Sequence, residues 1–332
     1  MGVFIIAEAG VNHNGSFEIA CKLADVAKDV GADAIKFQTF KAESLVTQDA
    51  STAEYQQEAV GRGKSQLDML KELELTNDEF IRLKQHCDEI GILFCTTTFD
   101  MDSTEFALRE LDLPFMKVPS GEITNLPLLE AIGRSGKPVI LSTGMCEIGE
   151  VEDAVHALRS AGSQSIAVLH CTSQYPAPFE DVNLRAMVKM GEDLELDYGY
   201  SDHTLGTSVA AAAVALGASI VEKHFTLDRT MEGPDHKASL DPDGLKELVK
   251  SIRCVQSALG SAEKHVSNSE RANRDIVRKS IVAIKPIRAG EVFSENNIGT
   301  KRPGTGLSPM KWHAVLGQIA SRDFESDEEI AL

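Results

Sequence analysis

Two stretches decide how this chain is read: Tyr198-Gly199-Tyr200-Ser201-Asp202-His203-Thr204 and, after a helix of small residues, Ser219-Ile220-Val221-Glu222-Lys223-His224-Phe225-Thr226. Each is a β-rich run that finishes in polar groups, and a polar tail, Gly233-Pro234-Asp235-His236-Lys237-Ala238-Ser239, follows the second. Strand, helix, strand is the repeat of parallel α/β folds, and polar groups gathered at the ends of consecutive strands mark the face where such folds do chemistry.

Working outward, the same alternation covers most of the chain. Six further runs precede these two: Phe4 to Gly10, Asp33 to Thr39, Leu93 to Phe99, Phe115 to Gly121, Pro138 to Gly144 and Ser165 to Thr172, each followed by a helix candidate. Thr76 with Glu79 spells a capping box, and Asp241-Pro242 places an N-cap before a proline at the first helical position. Eight strand-helix units in about 260 residues predict a (β/α)8 TIM barrel over 1–260. A doubly wound sheet would carry a Gly-rich loop at its switch point, and no GxGxxG follows any run. Residues 261–279 turn polar and read as a linker with some helix. Residues 280–332, with Ser280-Ile281-Val282-Ala283-Ile284 alternating and turns at Ala289-Gly290 and Pro303-Gly304, read as a small β-rich domain. Lys41 to Leu75 is a long insertion after the second run, read as a solvated loop or, functionally, as a lid or subunit contact.

With 332 residues, 42% of them hydrophobic, the chain can bury a large core. Its formal charge of −18 argues against nucleic acid or an anionic membrane as partner. The apolar run Val3 to Ala7 lacks a preceding basic region and ends at Glu8, which fits neither a signal peptide nor a membrane span. Six scattered cysteines without metal or disulfide spacing suggest reduced thiols in a cytoplasmic protein.

In a barrel the strand ends form the active face. Lys36, Lys117 and Lys223 would bring three cations to one mouth, where an anion must offset their repulsion and desolvation; with the Ser120 and Ser142 hydroxyls the guest is a phosphate or carboxylate. The plain alternative pairs each lysine with a carboxylate such as Glu8 or Glu222. His203 and His224 end consecutive strands, near enough to share a metal. Two imidazoles leave positions open for water and substrate oxygens, which suits Mn²⁺ or Mg²⁺ better than a closed Zn²⁺ site. A lone histidine is more often a satisfied core residue; the pairing is what favours the metal.

The runs Ala7-Glu8-Ala9-Gly10-Val11-Asn12-His13-Asn14-Gly15, Ile35-Lys36-Phe37-Gln38-Thr39, Lys117-Val118-Pro119-Ser120-Gly121-Glu122, Ser142-Thr143-Gly144-Met145, Tyr200-Ser201-Asp202-His203-Thr204, Glu222-Lys223-His224-Phe225-Thr226 and Gly233-Pro234-Asp235-His236 together resemble the bacterial sialic acid synthase family. Thr300-Lys301-Arg302-Pro303-Gly304-Thr305-Gly306 is similar to that family's antifreeze-like (SAF) domain. The resemblance implies a transferase that condenses phosphoenolpyruvate with an N-acetylated hexosamine, N-acetylmannosamine first, releasing phosphate and forming a nine-carbon 2-keto acid. It implies that Lys36, Lys117, Ser120, Ser142 and Ser201 hold phosphoenolpyruvate and that His203 and His224 hold the divalent metal, most readily Mn²⁺. Glu8 would orient or deprotonate the attacking water. Gln38, Glu122, Tyr175, Asp235 and Arg302 would complete the substrate set, Arg302 reaching into the partner's barrel in a homodimer.

Ser173 departs from the amide or Thr that relatives carry. Relatives making legionaminic acid share almost all these motifs, so 2,4-diacetamido-2,4,6-trideoxymannose is the alternative acceptor. A different class on the same barrel is an aldolase or lyase using Lys36 or Lys117 as a Schiff base. A non-catalytic reading makes the C-terminal unit a carbohydrate- or ice-binding module.

Overall fold

The computed structural model describes residues 2–48, 50 and 65–332. Eight parallel strands close into a barrel in chain order: β1 (Phe4–Gly10), β2 (Ala34–Thr39), β3 (Leu93–Thr98), β4 (Met116–Val118), β5 (Val139–Ser142), β6 (Ile166–Cys171), β7 (Asp197–Asp202) and β8 (Ile220–His224). The seam is β1 against β8, with Phe4 opposite Ile220 and Glu8 opposite His224. The TIM barrel expected from the eight runs is the observed fold. Several runs extend past the strands themselves: Phe115 to Gly121 yields only β4 and a 3-10 turn over Ser120–Glu122, because Pro119 cannot continue a ladder.

Helices α1 (Phe17–Asp29), α2 (Ala42–Leu45), α3 (Gln66–Leu73), α4 (Asn77–Ile90), α5 (Met101–Glu110), α6 (Leu126–Arg134), α7 (Ile148–Ala161), α8 (Leu184–Leu194), α9 (Ser208–Ala215) and α10 (Pro242–Leu259) accompany the strands. Both sequence caps form. Thr76 Oγ1 accepts from the Glu79 amide while the Glu79 carboxylate accepts from the Thr76 amide, and Asp241 accepts from Gly244 N ahead of Pro242. The main core lies between strands and helices and is built from side chains that alternate outward along each strand, such as Ile5, Ala7, Ile35, Phe37, Phe94 and Val221. Inside the barrel a smaller apolar plug of Ile6, Ala34, Cys95, Phe115, Ile140 and Leu169 fills the lumen. Two residues further along the strands the inward positions turn polar, which puts the candidate site directly above this apolar plug.

The insertion after β2 is more than a solvated loop. Its described part forms α2 and α3, whose Ala42, Met69, Leu70 and Leu73 pack with Val11 and Phe40 in an apolar cluster of their own. Of the Lys41 to Leu75 segment expected to act as a lid or subunit contact, residues 49 and 51–64 lie outside the described residues.

The chain falls into two compact units, Met1–Gly260 and Ser261–Leu332. The second unit has helix α11 (Asn268–Val277), an antiparallel pair of β9 (Ser280–Ala283) and β10 (Ile298–Lys301), and a short helix α12 (Trp312–Val315). Its own core gathers Ile281, Ile287, Phe293, Ile298, Val315 and Phe324. All six cysteines are free, and no described helix is long and apolar enough to cross a membrane.

Candidate active site

The strand register assembles the site residue by residue. Glu8 on β1 lies opposite Lys36 on β2 and His224 on β8; Ser201 on β7 lies opposite Glu222 on β8; Thr97 on β3 lies opposite Lys117 on β4. A register irregularity between Glu8 and Gly10 lets β1 turn away over the mouth. Gly10 has φ +54°, and a Cβ there would stand 3.3 Å from both Gln38 Nε2 and Glu8 Oε1. Glycine is required at that position both for the left-handed backbone and for the space it leaves.

Four charged side chains form the floor, all nearly inaccessible to water. Lys36 Nζ is 2.9 Å from Glu8 Oε2 and 3.7 Å from Glu222 Oε2; Lys117 Nζ is 3.9 Å from that same Glu222 oxygen. Hydroxyls complete the cradle: Lys36 donates to Thr97 Oγ1 at 2.8 Å, Lys117 to Ser142 Oγ at 2.6 Å, and Ser201 Oγ to Glu222 Oε1 at 2.9 Å. Burial alone would raise Glu222, but Lys117 and Lys36 outweigh it and hold the carboxyl down to about 2. Burial wins at Glu8, which is pushed up to about 7 against the pull of Lys36. Near neutrality the two lysines therefore face one firmly ionised carboxylate and one that exchanges its proton, leaving positive charge for an anion.

Lys223 does not join them. Its side chain points out of the barrel and donates to Asp202 Oδ2 at 2.8 Å and to the Thr204 carbonyl, in a buried pair. The three-cation mouth is corrected to two, because alternation along β8 turns Glu222 and His224 inward and Lys223 outward. The plain alternative of lysine–carboxylate pairing holds for all three.

The imidazoles of His203 and His224 lie 5.7 Å apart between ring centroids, with Tyr175 4.2 Å from His203 and 5.6 Å from His224. Burial lowers both histidines, so both stand neutral at pH 7. His203 Nδ1 lies 2.7 Å from the Thr172 carbonyl, which assigns it the proton and leaves Nε2, 3.4 Å from Ser201 Oγ, as the nitrogen with a lone pair to offer a ligand. His224 Nδ1 is buried without a hydrogen-bond partner, and the buried Glu8 Oε2 and Glu222 Oε2 have only the lysine charges beside them. An orphaned atom of this kind costs about 1–3 kcal/mol unless something binds it. Among the described residues no group of three or more His, Cys, Asp or Glu side chains is placed to cage a metal. The donor set thus fits a cation held by two imidazoles with its other positions given to substrate and water, and does not fit a closed structural site.

One cavity of about 460 Å³ joins these groups. Gln38, Ser120, Glu122, Ser142, Tyr175, Ser201 and Asp235 all line it, as does Ser173, which stands close to Gly144 and Ser120. Ser120 Oγ accepts from Gly144 N at 2.8 Å, Glu122 accepts from Asn125 Nδ2 at 2.6 Å, and burial pushes Asp235 up to about 6. Arg302 lies exposed in the second unit, just after β10. Two contributors were named in the sequence reading but not placed in the site: Glu222, read only as a carboxylate to pair with a lysine although its alternation with His224 was the available signal, and Leu45, Val46, Met69, Leu70 and Leu73 of the Lys41 to Leu75 insertion, which form an apolar side of the cavity.

Comparisons with known proteins agree along the whole chain. The model of the NeuB family matches residues 23–264 and that of the SAF domain residues 278–331. The chain is 50% identical over 328 residues to N,N'-diacetyllegionaminic acid synthase of Campylobacter jejuni, covering 98% of each. It is 37% identical over 331 residues to the human N-acetylneuraminate-9-phosphate synthase, covering 98% of this chain and 91% of that one. The crystal structure of an N-acetylneuraminic acid (sialic acid) synthetase from Leptospira borgpetersenii in complex with citrate superposes with a TM-score of 0.72 at 36% identity, over 82% of this chain and 90% of that one.

Proposed function

Because this chain belongs to the NeuB family of nonulosonic acid synthases, we propose that it condenses phosphoenolpyruvate with 2,4-diacetamido-2,4,6-trideoxymannose, as a legionaminic acid synthase. The sequence reading put N-acetylmannosamine first. The 50% identity to a legionaminic acid synthase, against 37% to a human sialic acid phosphate synthase, supports the diacetamido sugar instead. The observation that carries the chemistry is the buried chain Glu8–Lys36–Glu222–Lys117 beside two neutral imidazoles.

Lys36 and Lys117, with Ser120, Ser142 and Ser201, bind the carboxylate and phosphate of phosphoenolpyruvate, and their charge balances the departing phosphate. His203 and His224 hold a divalent cation, Mn²⁺ by preference, which when bound polarises the acceptor's aldehyde. Gln38, Glu122, Tyr175 and Asp235 orient the open-chain sugar so that the C2=C3 π pair of the enol forms the new C–C bond at the aldehyde carbon. The aldehyde's own π pair moves to its oxygen, which takes up a proton and becomes a hydroxyl, and C2 is left electron-poor. Glu8 takes a proton from water as its oxygen adds to C2; phosphate then leaves by C–O cleavage with both electrons and takes up the proton that the C2 hydroxyl gives up as it becomes the ketone. Burial of the floor excludes bulk water, so the water that adds is one Glu8 selects.

Full-length protein with Mn²⁺ and phosphoenolpyruvate should release phosphate with the diacetamido sugar at a kcat/KM at least about tenfold above that with N-acetylmannosamine. The opposite order would restore the sialic acid reading, and no release with either sugar would sink both. A covalent adduct trapped by borohydride with pyruvate would favour a Schiff-base lysine instead. His224→Ala should remove metal-dependent turnover and weaken Mn²⁺ binding measured by calorimetry; near-normal turnover would remove His224 from the metal.

A further inference from the structure

The buried pair Lys223–Asp202 takes no part in the proposed reaction. It lies on the outer side of the barrel wall, in the layer between strands and helices: Tyr200, two residues before Asp202, packs with Met187 of α8 and Ala213 of α9, and Val221, two before Lys223, belongs to the main core. Asp202, Lys223 and Thr204 are all buried. An ion pair in such a layer gains little over an apolar pair of the same size, because desolvation of both charges offsets their attraction. What an apolar pair could not supply is its set of hydrogen bonds.

Asp202 and Lys223 are register partners on β7 and β8, and the residue after each is a histidine, His203 and His224. The ion pair thus stands one residue behind the two imidazoles, on the opposite face of the wall. The backbone ladder of β7 on β8 ends at this pair. On the inner face, Ser201 Oγ joins Glu222 Oε1 across the same strands, two residues short of His203. Past the last rung the Lys223 side chain carries the tie onward. Its Nζ donates to Asp202 Oδ2 at 2.8 Å and to the Thr204 carbonyl, while Asp202 Oδ1 accepts from Thr204 N at 2.9 Å and from Thr204 Oγ1 at 2.8 Å. The residues before and after His203 are therefore both fastened to the residue before His224. The other bonds on the two histidines lead elsewhere: the His203 carbonyl accepts from Ala177 N, and the His224 carbonyl from Leu240 N, each at 2.9 Å.

We infer that the Lys223–Asp202 pair is a positioning element: acting through Thr204 and the backbone of both strands, it sets the separation of the His203 and His224 imidazoles and so the affinity of the divalent-cation site. This rests on the cation site proposed above.

The test titrates Mn²⁺ alone, and phosphoenolpyruvate alone, into full-length protein by calorimetry. Lys223→Met removes the tie and leaves Asp202 unpaired. Lys223→Met combined with Asp202→Asn also removes the tie, but leaves no buried charge and keeps an oxygen for Thr204 N, so it serves where the single variant fails to fold. Both should bind Mn²⁺ about 10- to 100-fold more weakly, the loss expected when the partners that orient metal-ligating groups are removed. Affinity for phosphoenolpyruvate, assigned mainly to Lys36, Lys117 and Ser142 on other strands, should stay close to that of the unaltered protein. A merely structural pair would lower the thermal midpoint of Lys223→Met and spare Mn²⁺ binding by the folded chain. Unchanged Mn²⁺ affinity in the double variant, or equal losses of Mn²⁺ and phosphoenolpyruvate binding, overturns the inference and leaves the cation site standing. No Mn²⁺ binding by the unaltered protein, or binding that His224→Ala leaves untouched, overturns the cation site and this inference together.

Discussion

A carboxyl that titrates near neutrality is matched to proton transfer at neutral pH, and burial brings Glu8 to that range. As a base it must be ionised to act, so kcat/KM should rise with pH through about 7. Glu8→Gln should lose that limb together with about 10²- to 10⁴-fold in rate; a limb that survives the substitution would belong to another group. Asp235 offers a test in stability. Its folded value is raised by burial from 3.8 to about 6, so the folded state binds the extra proton between those values and stability falls as pH rises through the window. Asp235→Asn should therefore gain unfolding free energy at pH 8 relative to pH 4, by up to about 3 kcal/mol at the higher pH. No such pH-dependent difference would mean that the carboxyl is solvated. Residue types and strand ends were enough to nominate the cavity's polar lining from sequence, because chemistry of this kind needs titratable groups at that face. Lys223 was misplaced because it was grouped with the other lysines by charge: with His224 taken as inward, strand alternation already turns Lys223 outward, where it meets Asp202.

At the scale of elements, the eight strands were legible because each is a short β-rich run closed by a turn signal, and helix starts were legible where a cap is written out. The Thr76–Glu79 box is an instance: Thr76→Ala should cost about 1 kcal/mol of unfolding free energy, read as a lower urea midpoint. A change in acceptor selectivity alongside it would show that α4 is coupled to the site. Illegible were α2 and α3. They are short, about one turn for α2 and two for α3, and the apolar cluster that holds them draws on Val11 and Phe99, which are distant in sequence. Pairing across that distance is tertiary information that no local pattern carries.

For the whole molecule, the two apolar cores share no residue: the barrel's runs from Val3 to Ile252 and the second unit's from Ile281 to Ile330. A chain ended at Gly260 should therefore still unfold cooperatively by circular dichroism; a molten fragment would mean that the barrel borrows stability from beyond that residue. Arg302 belongs to the second unit, and its proposed action in a partner's site predicts complementation. Mixing an Arg302→Ala chain with a His203→Ala chain should return part of the activity, and verified exchange of subunits without rescue would remove Arg302 from that role. The seam of β1 against β8 adds a constraint in time. Glu8 and Lys36 leave the ribosome early, but Glu222, the carboxylate that both Lys36 and Lys117 face, and the imidazole opposite Glu8 arrive only with the last strand. Until roughly two-thirds of the message has been read, the nascent chain holds unpaired charges that cannot be buried. Closure of the barrel and birth of the site are then a single event, and a chain ended before β8, lacking Glu222 and His224, should carry no activity.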